Sequence, residues 1–210
     1  MIRAILAWIL SAGMGLAQGE AAGEFDYYVL SLSWTPTWCA IEGDERGSPQ
    51  CDAGQGYGFT LHGLWPQYEA GWPSFCPTTE SNPSRAMTGA MADIMGSSGL
   101  AWYQWNKHGA CTGLSASQYY AQSRAAYEAI NRPAILRRLD SDLRLPAEVI
   151  EEAFLEENPE LSDEMVTVTC REGRVQEMRI CLTRDLEPRV CGQDVARDCS
   201  LDDALFSPMR

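Results

Sequence analysis

Apolar and polar residues alternate with period two over residues 25–34, FDYYVLSLSW, which predicts a strand with one buried face, ended by Thr35-Pro36-Thr37. Residues 39–58 turn to Gly, Asp, Glu, Pro and Gln, a loop signature. Residues 57–61 read as a short strand that delivers His62 at its end. Gly63 then permits a tight turn and Pro66 bars further extension. Over 84–95, Met87, Met91, Ile94 and Met95 recur on one helical face as core filler, and Gly96-Ser97-Ser98-Gly99 closes that helix. In the following run, WYQWNKHGAC (102–111), Gln104, Lys107 and His108 are three and four positions apart. A helical turn places them on one face, with Trp102 and Trp105 packing on the other side.

Ser115 with Gln118 forms a capping box that opens a helix through Ile130. Pro133 and Pro146 open further helices, with Leu136 and Leu139, then Val149, Ile150 and Phe154, directed inward, and Asn158-Pro159 is a stop. From residue 165 the period is two again: 165–170, a turn at Glu172-Gly173, and 174–183 make a hairpin to which the cysteine-bearing tail is expected to be pinned. Strands at both ends with helices between, and no repeat or internal linker, predict a single α+β domain with a central, mainly antiparallel sheet.

The first residues stand apart. Arg3 is the sole charge before Glu20, residues 5–16 are mainly apolar, and Gly15-Leu16-Ala17 carries small residues where a signal peptidase reads. Residues 1–17 are therefore expected to be a secretory signal, 18–24 a polar linker and 25–210 the domain. The apolar run falls short of the about 20 residues a membrane span needs, an uncleaved anchor being the rival reading, and no later segment is suited to one, so no membrane attachment is expected after signal removal. Eight cysteines, at 39, 51, 76, 111, 170, 181, 191 and 199, all follow the cleavage point. An even count behind a secretion signal reads as four disulfides and a periplasmic or secreted protein. Zinc is the rival reading; without a CxxC pair or a histidine at ligand spacing, neither metal nor other cofactor is expected.

Twenty-nine carboxylates against sixteen bases give a net charge of −13, which argues against holding a polyanion by a broad basic face but leaves a local grip open. Most of this acidity reads as solubility, with Glu148, Glu151, Glu152, Glu156 and Glu157 a solvated helix face. The bases are unevenly used. Lys107 is the single lysine, and only two histidines occur, His62 in FTLHGLWPQ and His108 beside Lys107. Two imidazoles near neutral pH supply a base and an acid, and a lysine supplies a fixed positive charge. That set suits attack of an RNA 2′-hydroxyl on its own phosphate, which needs no metal and which DNA, lacking the hydroxyl, cannot undergo.

FTLHGLWPQ and WYQWNKHGAC resemble the two active-site motifs of the T2-type ribonucleases, secreted endoribonucleases of α+β fold. The first matches nearly throughout; the second matches His-Glu-Trp-x-Lys-His-Gly-Thr-Cys at Trp105, Lys107, His108, Gly109 and Cys111. The likeness extends more weakly to YVLSLSWTPTWC and the four C-terminal cysteines. It implies His108 as general base on the 2′-hydroxyl, His62 as general acid on the 5′-oxygen, Lys107 stabilising the crowded phosphorane-like state, and 2′,3′-cyclic phosphates opened to 3′-phosphates. It implies a base stacked on Trp65; Gln67 and Tyr68 stand close enough to Trp65 along the chain to be candidates for base contact. It also implies the disulfides Cys39–Cys51, Cys76–Cys111, Cys170–Cys199 and Cys181–Cys191. Trp34, Trp38, Trp72, Trp102 and Trp105 are read as core or wall.

Two departures stand out. Gln104 replaces the family glutamate, and Tyr103 replaces a phosphate-binding histidine found in many members. Tyrosine keeps a hydroxyl donor; glutamine can donate a hydrogen bond but can neither exchange a proton nor carry charge. The sequence thus predicts an attenuated, monomeric endoribonuclease acting on single-stranded RNA. The competing readings are an impaired ribonuclease-like RNA-binding protein and a disulfide-bonded structural or inhibitor domain.

Overall fold

A computed structural model describes residues 21–210. The expected signal at 1–17, and residues 18–20 of the expected linker, lie outside the described residues. Of the rest of that linker, Gly23 donates its amide to the Cys111 carbonyl at 2.9 Å, so the chain already packs against the domain before residue 25.

Six strands form one sheet: β1 (Tyr27–Trp34), β2 (Phe59–Gln67), β3 (Leu143–Leu145), β4 (Val166–Arg171), β5 (Arg174–Leu182) and β6 (Ala204–Phe206). The order is β2-β1-β5-β6-β3, with β4 also paired to β5. All pairings are antiparallel except the single contact of β5 with β6 at Arg174 and Leu205. Between the strands run α1 (Thr35–Trp38), α2 (Arg85–Gly89), α3 (Ala92–Met95), α4 (Ser98–Lys107), α5 (Ala116–Ala129) and α6 (Glu148–Glu157). This is the expected α+β domain, its sheet mixed but mostly antiparallel.

Alternation decides what each sheet face does. Tyr28, Leu30, Leu32 and Trp34 of β1 and Met178, Ile180 and Leu182 of β5 join Trp105, Tyr119, Ile150 and Phe154 in the main core. Each such side chain contributes about 1.5–3 kcal/mol by burial. The intervening residues look the other way, where Tyr27, Val29, Cys181, Cys191 and Val195 make a smaller cluster.

β2 obeys this alternation only by breaking register. Leu61 and Leu64 are both fully buried in the main core although three positions apart. Ser31 pairs with Gly63 and Leu32 with Leu61, so His62 is an extra, bulged residue. The strand was expected to stop at Leu61; instead it runs to Gln67. Pro66 does not interrupt it because β2 is the edge of the sheet, where a missing N–H breaks no ladder.

Other expectations need similar correction. Residues 39–58 are not simply loop, since a π-helical turn at Cys39–Gly43 and a 3₁₀ turn at Pro49–Cys51 occupy part of them. The helix expected over 84–95 is two short ones, α2 and α3, with Met91, Ile94 and Met95 buried as expected. Ser115 and Gln118 form the expected capping box of α5. Pro133 opens only a 3₁₀ turn at Ala134–Arg138, and Pro146 stands before α6, whose Ile150 and Phe154 are buried but whose Val149 is exposed. Glu151 is not part of a freely solvated face: burial, with Asp198 beside it, pushes its carboxyl up to about 7. Trp105 is buried and Trp72, though exposed, stands at the wall of a surface cleft, but Trp102 is exposed rather than core.

The eight cysteines pair as Cys39–Cys51, Cys76–Cys111, Cys170–Cys199 and Cys181–Cys191. The second ties the segment after β2 to the turn that follows α4 across a sequence separation of 35. A loop of that size is worth about 2–4 kcal/mol of unfolded-state entropy. Replacing Cys76 and Cys111 together by alanine is expected to lower the urea unfolding free energy by about that amount; an unchanged midpoint would show that the crosslink does not constrain the chain.

Candidate active site

His62, Gly63, Trp65 and Gln67 leave β2 on the sheet face opposite the main core, because the bulge turns both His62 and Gly63 outward. α4 runs beside this edge strand. Ser97 caps it by accepting from the Leu100 amide, Trp105 anchors it in the core, and Gln104, Lys107 and His108 reach the same cleft. The sequence-predicted residues His62, Trp65, Gln67, Tyr103, Gln104, Lys107 and His108 therefore converge on one cleft of about 390 Å³. A second cleft of about 520 Å³ adjoins it, and His62 and Tyr103 line both.

Trp65 packs against both imidazoles. Its ring lies 5.3 Å from His108, nearly parallel, and 5.1 Å from His62, edge-on. Its Nε1 donates to Gln104 Oε1 at 2.8 Å. This contact passes over Gly63, where a Cβ would stand 2.3 Å from Gln104 Oε1 and 2.4 Å from Trp65 Nε1, so only glycine fits. Gln104 is itself buried, and with its oxygen committed to Trp65 it offers the cleft amide hydrogens.

The histidines sit in opposite surroundings. His108 is buried, and desolvation, with the Lys107 charge and then His62 adding to it, pushes its imidazole down to about 3. Its Nδ1 finds no hydrogen-bond partner among the described residues, an uncompensated polar atom of the kind functional sites retain. His62 is a third exposed, and its Nδ1 lies 2.5 Å from Glu177 Oε1. The same oxygen accepts from Ser33 Oγ at 3.2 Å, and Oε2 accepts from Arg179 Nε and Nη2 at 3.0 and 2.7 Å. Burial alone would raise the Glu177 carboxyl, but the hydrogen bond and charge of His62, with Arg179, outweigh it and hold the group well below the ordinary 4.5. An ionised Glu177 fixes the ring so that Nδ1 donates to it and Nε2 is free to serve the cleft.

Glu177 and Arg179 escaped the sequence reading. Both sit on the outward face of β5, where Ser33 pairs with Glu177. The available signal was an acid and a base two positions apart, flanking Met178 and followed by the apolar end of the strand. Arg179 also reaches over the Trp65 ring, 5.4 Å from its centre. Lys107 makes no ion pair among the described residues and stands 5.9 Å from the centre of the Tyr103 ring, leaving its charge for a ligand. No group of three or more His, Cys, Asp or Glu among the described residues is arranged to hold a metal ion.

Residues 25–191 match the profile of the Ribonuclease T2 family. The chain is 40% identical over 144 residues to a ribonuclease of Aeromonas hydrophila, a region covering 67% of this chain and 63% of that protein. It is 30% identical over 126 residues to a probable ribonuclease of Haemophilus influenzae, covering 54% and 46% respectively. The chain thus spans less than two thirds of the length of either curated relative. Among solved structures, RNase NT in complex with 5′-AMP superimposes with a TM-score of 0.66 at 20% identity, covering 88% of this chain and 99% of that one. The RNase-related protein from Calystegia sepium gives 0.64 at 22% identity, covering 88% and 97%. These structures share the fold.

The electrostatics of the site fix a pH dependence of stability. For both His108 and Glu177 the native state binds a proton less readily than the unfolded chain, so stability is lost as pH falls. The His108 contribution declines from about 6.5 toward 3, and that of Glu177 below about 4.5. Urea unfolding midpoints measured from pH 7 to 4 should fall steadily. His108→Asn should flatten the upper part of that curve and Glu177→Gln the lower; superimposable curves would contradict the assignment.

Proposed function

The chain belongs to the ribonuclease T2 family, and from that premise we propose that it is a metal-independent endoribonuclease of single-stranded RNA. The observation that carries this reading is the different setting of the two histidines, both packed against Trp65 in one cleft. One imidazole is kept neutral by burial, and the other is held against an ionised carboxylate. A neutral imidazole facing one whose Nδ1 is hydrogen-bonded to a carboxylate supplies a base and a positioned acid.

In this mechanism neutral His108 takes the proton of the 2′-hydroxyl, whose oxygen attacks the adjacent phosphorus. Lys107, and the amide hydrogens of Gln104, face the negative charge that grows on the phosphoryl oxygens. His62, positioned by Glu177 through Nδ1, gives a proton from Nε2 to the departing 5′-oxygen. The bond from phosphorus to that oxygen breaks as the ring to O2′ closes, leaving a 2′,3′-cyclic phosphate. Water opens the ring in the reverse sense to a 3′-phosphate. Four disulfides support passage through an oxidising compartment, as expected of a periplasmic or secreted protein.

Gln104 attenuates this chemistry, since a carboxylate there would add charge and a proton carrier. Trp65 Nε1 would donate to a glutamate as readily as to the glutamine oxygen, so the exchange preserves the contact. The same locked glutamine supports the second reading, a protein that binds RNA without cutting it.

Incubation of the purified protein with RNA in EDTA should give cyclic-phosphate termini, lost in His62→Ala and in His108→Ala. Binding without cleavage would favour the second reading. Gln104→Glu is expected to raise kcat, with about 10²–10³-fold at stake; no gain would remove the attenuation argument. Because His108 is pushed down to about 3, kcat/KM should show no loss from base protonation near pH 6.5. An acid limb at that pH would identify some other group as the base.

A further inference from the structure

Four aromatic side chains are exposed among the described residues: Trp72 is 54% exposed, Phe75 60%, Trp102 43% and Tyr103 47%. Trp72 and Tyr103 line the cleft itself. Phe75 stands outside it, edge-on to Tyr103 with 6.4 Å between ring centres, and Trp102 is the helical neighbour of Tyr103. Single exposed aromatics need no explanation, but four within residues 72–103, two of them lining the cleft and a third edge-on to one of those, do.

Phe75 is held outward by the surrounding structure. Its φ is 53°, a left-handed conformation that bulky residues avoid. Its amide donates to the Lys107 carbonyl at 2.8 Å, and the next residue, Cys76, is bonded to Cys111. The ring is thus fixed to the segment carrying Lys107 and His108, yet buries little of itself. A chain of net charge −13 also has little general attraction for a polyanion, so a long substrate needs a grip that is not charge.

We propose that Phe75, Trp102 and Tyr103 form a stacking platform for bases of single-stranded RNA beyond the two nucleosides that flank the scissile phosphate. The proposal rests on the RNA-substrate reading above and adds Phe75 and Trp102 to the binding surface. Stacking is indifferent to base identity, because every base has a flat face, and Lys107 beside Tyr103 lies where the backbone would enter the cleft.

The test uses fluorescently labelled 2′-deoxy oligonucleotides, a dinucleotide and an octamer, which lack the attacking hydroxyl and stay intact. Their affinities are measured for the wild type, Phe75→Ala and Trp102→Ala, each with its thermal midpoint. Two variants on different elements guard against a local folding defect in one. The wild type should bind the octamer more tightly than the dinucleotide. Each variant should lose about 5- to 50-fold in octamer affinity, with dinucleotide affinity unchanged. Equal octamer affinity in the wild type and both variants overturns the platform. No binding of either probe by the wild type overturns the substrate reading and the platform with it, and cleavage of RNA by both variants at wild-type length preference overturns the platform alone.

Discussion

Two leucines three positions apart must reach the same core from an edge strand, and the bulge that lets them do so generates the geometry of the cleft. With Leu61 and Leu64 both inward, His62 and Gly63 both turn outward and Trp65 follows on the same side. The absent side chain of Gly63 then admits the hydrogen bond between Trp65 and Gln104 that joins strand to helix. Hydrophobic packing on one face of β2 thereby sets the positions of polar groups on the other.

What the cleft does electrically follows from its depth. His108 lies where desolvation is severe and a lysine stands next to it, while Glu177, also buried, is saturated by four hydrogen bonds from His62, Ser33 and Arg179. A buried carboxylate with that many donors stays ionised. Trp65 packs against both imidazoles, so these two environments meet within one cleft.

The sequence conveyed whatever was local. β1, the β4–β5 hairpin and the capped start of α5 followed from period and caps, and the turn expected at Glu172 and Gly173 is left-handed at both, a conformation that Gly173 favours. The convergence of His62, Lys107 and His108 was legible from rarity and motif. What depended on neighbours was not: Pro66 could be a strand residue only once β2 was known to be an edge. β3 and β6, three residues each, carry too little pattern to be seen alone. Glu177 looked like one carboxylate among 29, and only pairing of β5 with β1 sets it beside Ser33 and within reach of His62. Trp102 shows the converse limit, since helical phase locates a face but not what covers it.

The central place of β1 has a consequence for the order of events during synthesis. Made first among the strands, β1 gains β2 early, yet its other edge stays open until β5 has been made. A sheet with that wiring cannot close progressively behind the ribosome; its long-range pairing favours late, slow, all-at-once completion. The disulfide partners of Cys170 and Cys181, Cys199 and Cys191, also follow β5 in the chain, so both crosslinks that pin this half of the sheet wait on the same late stretch.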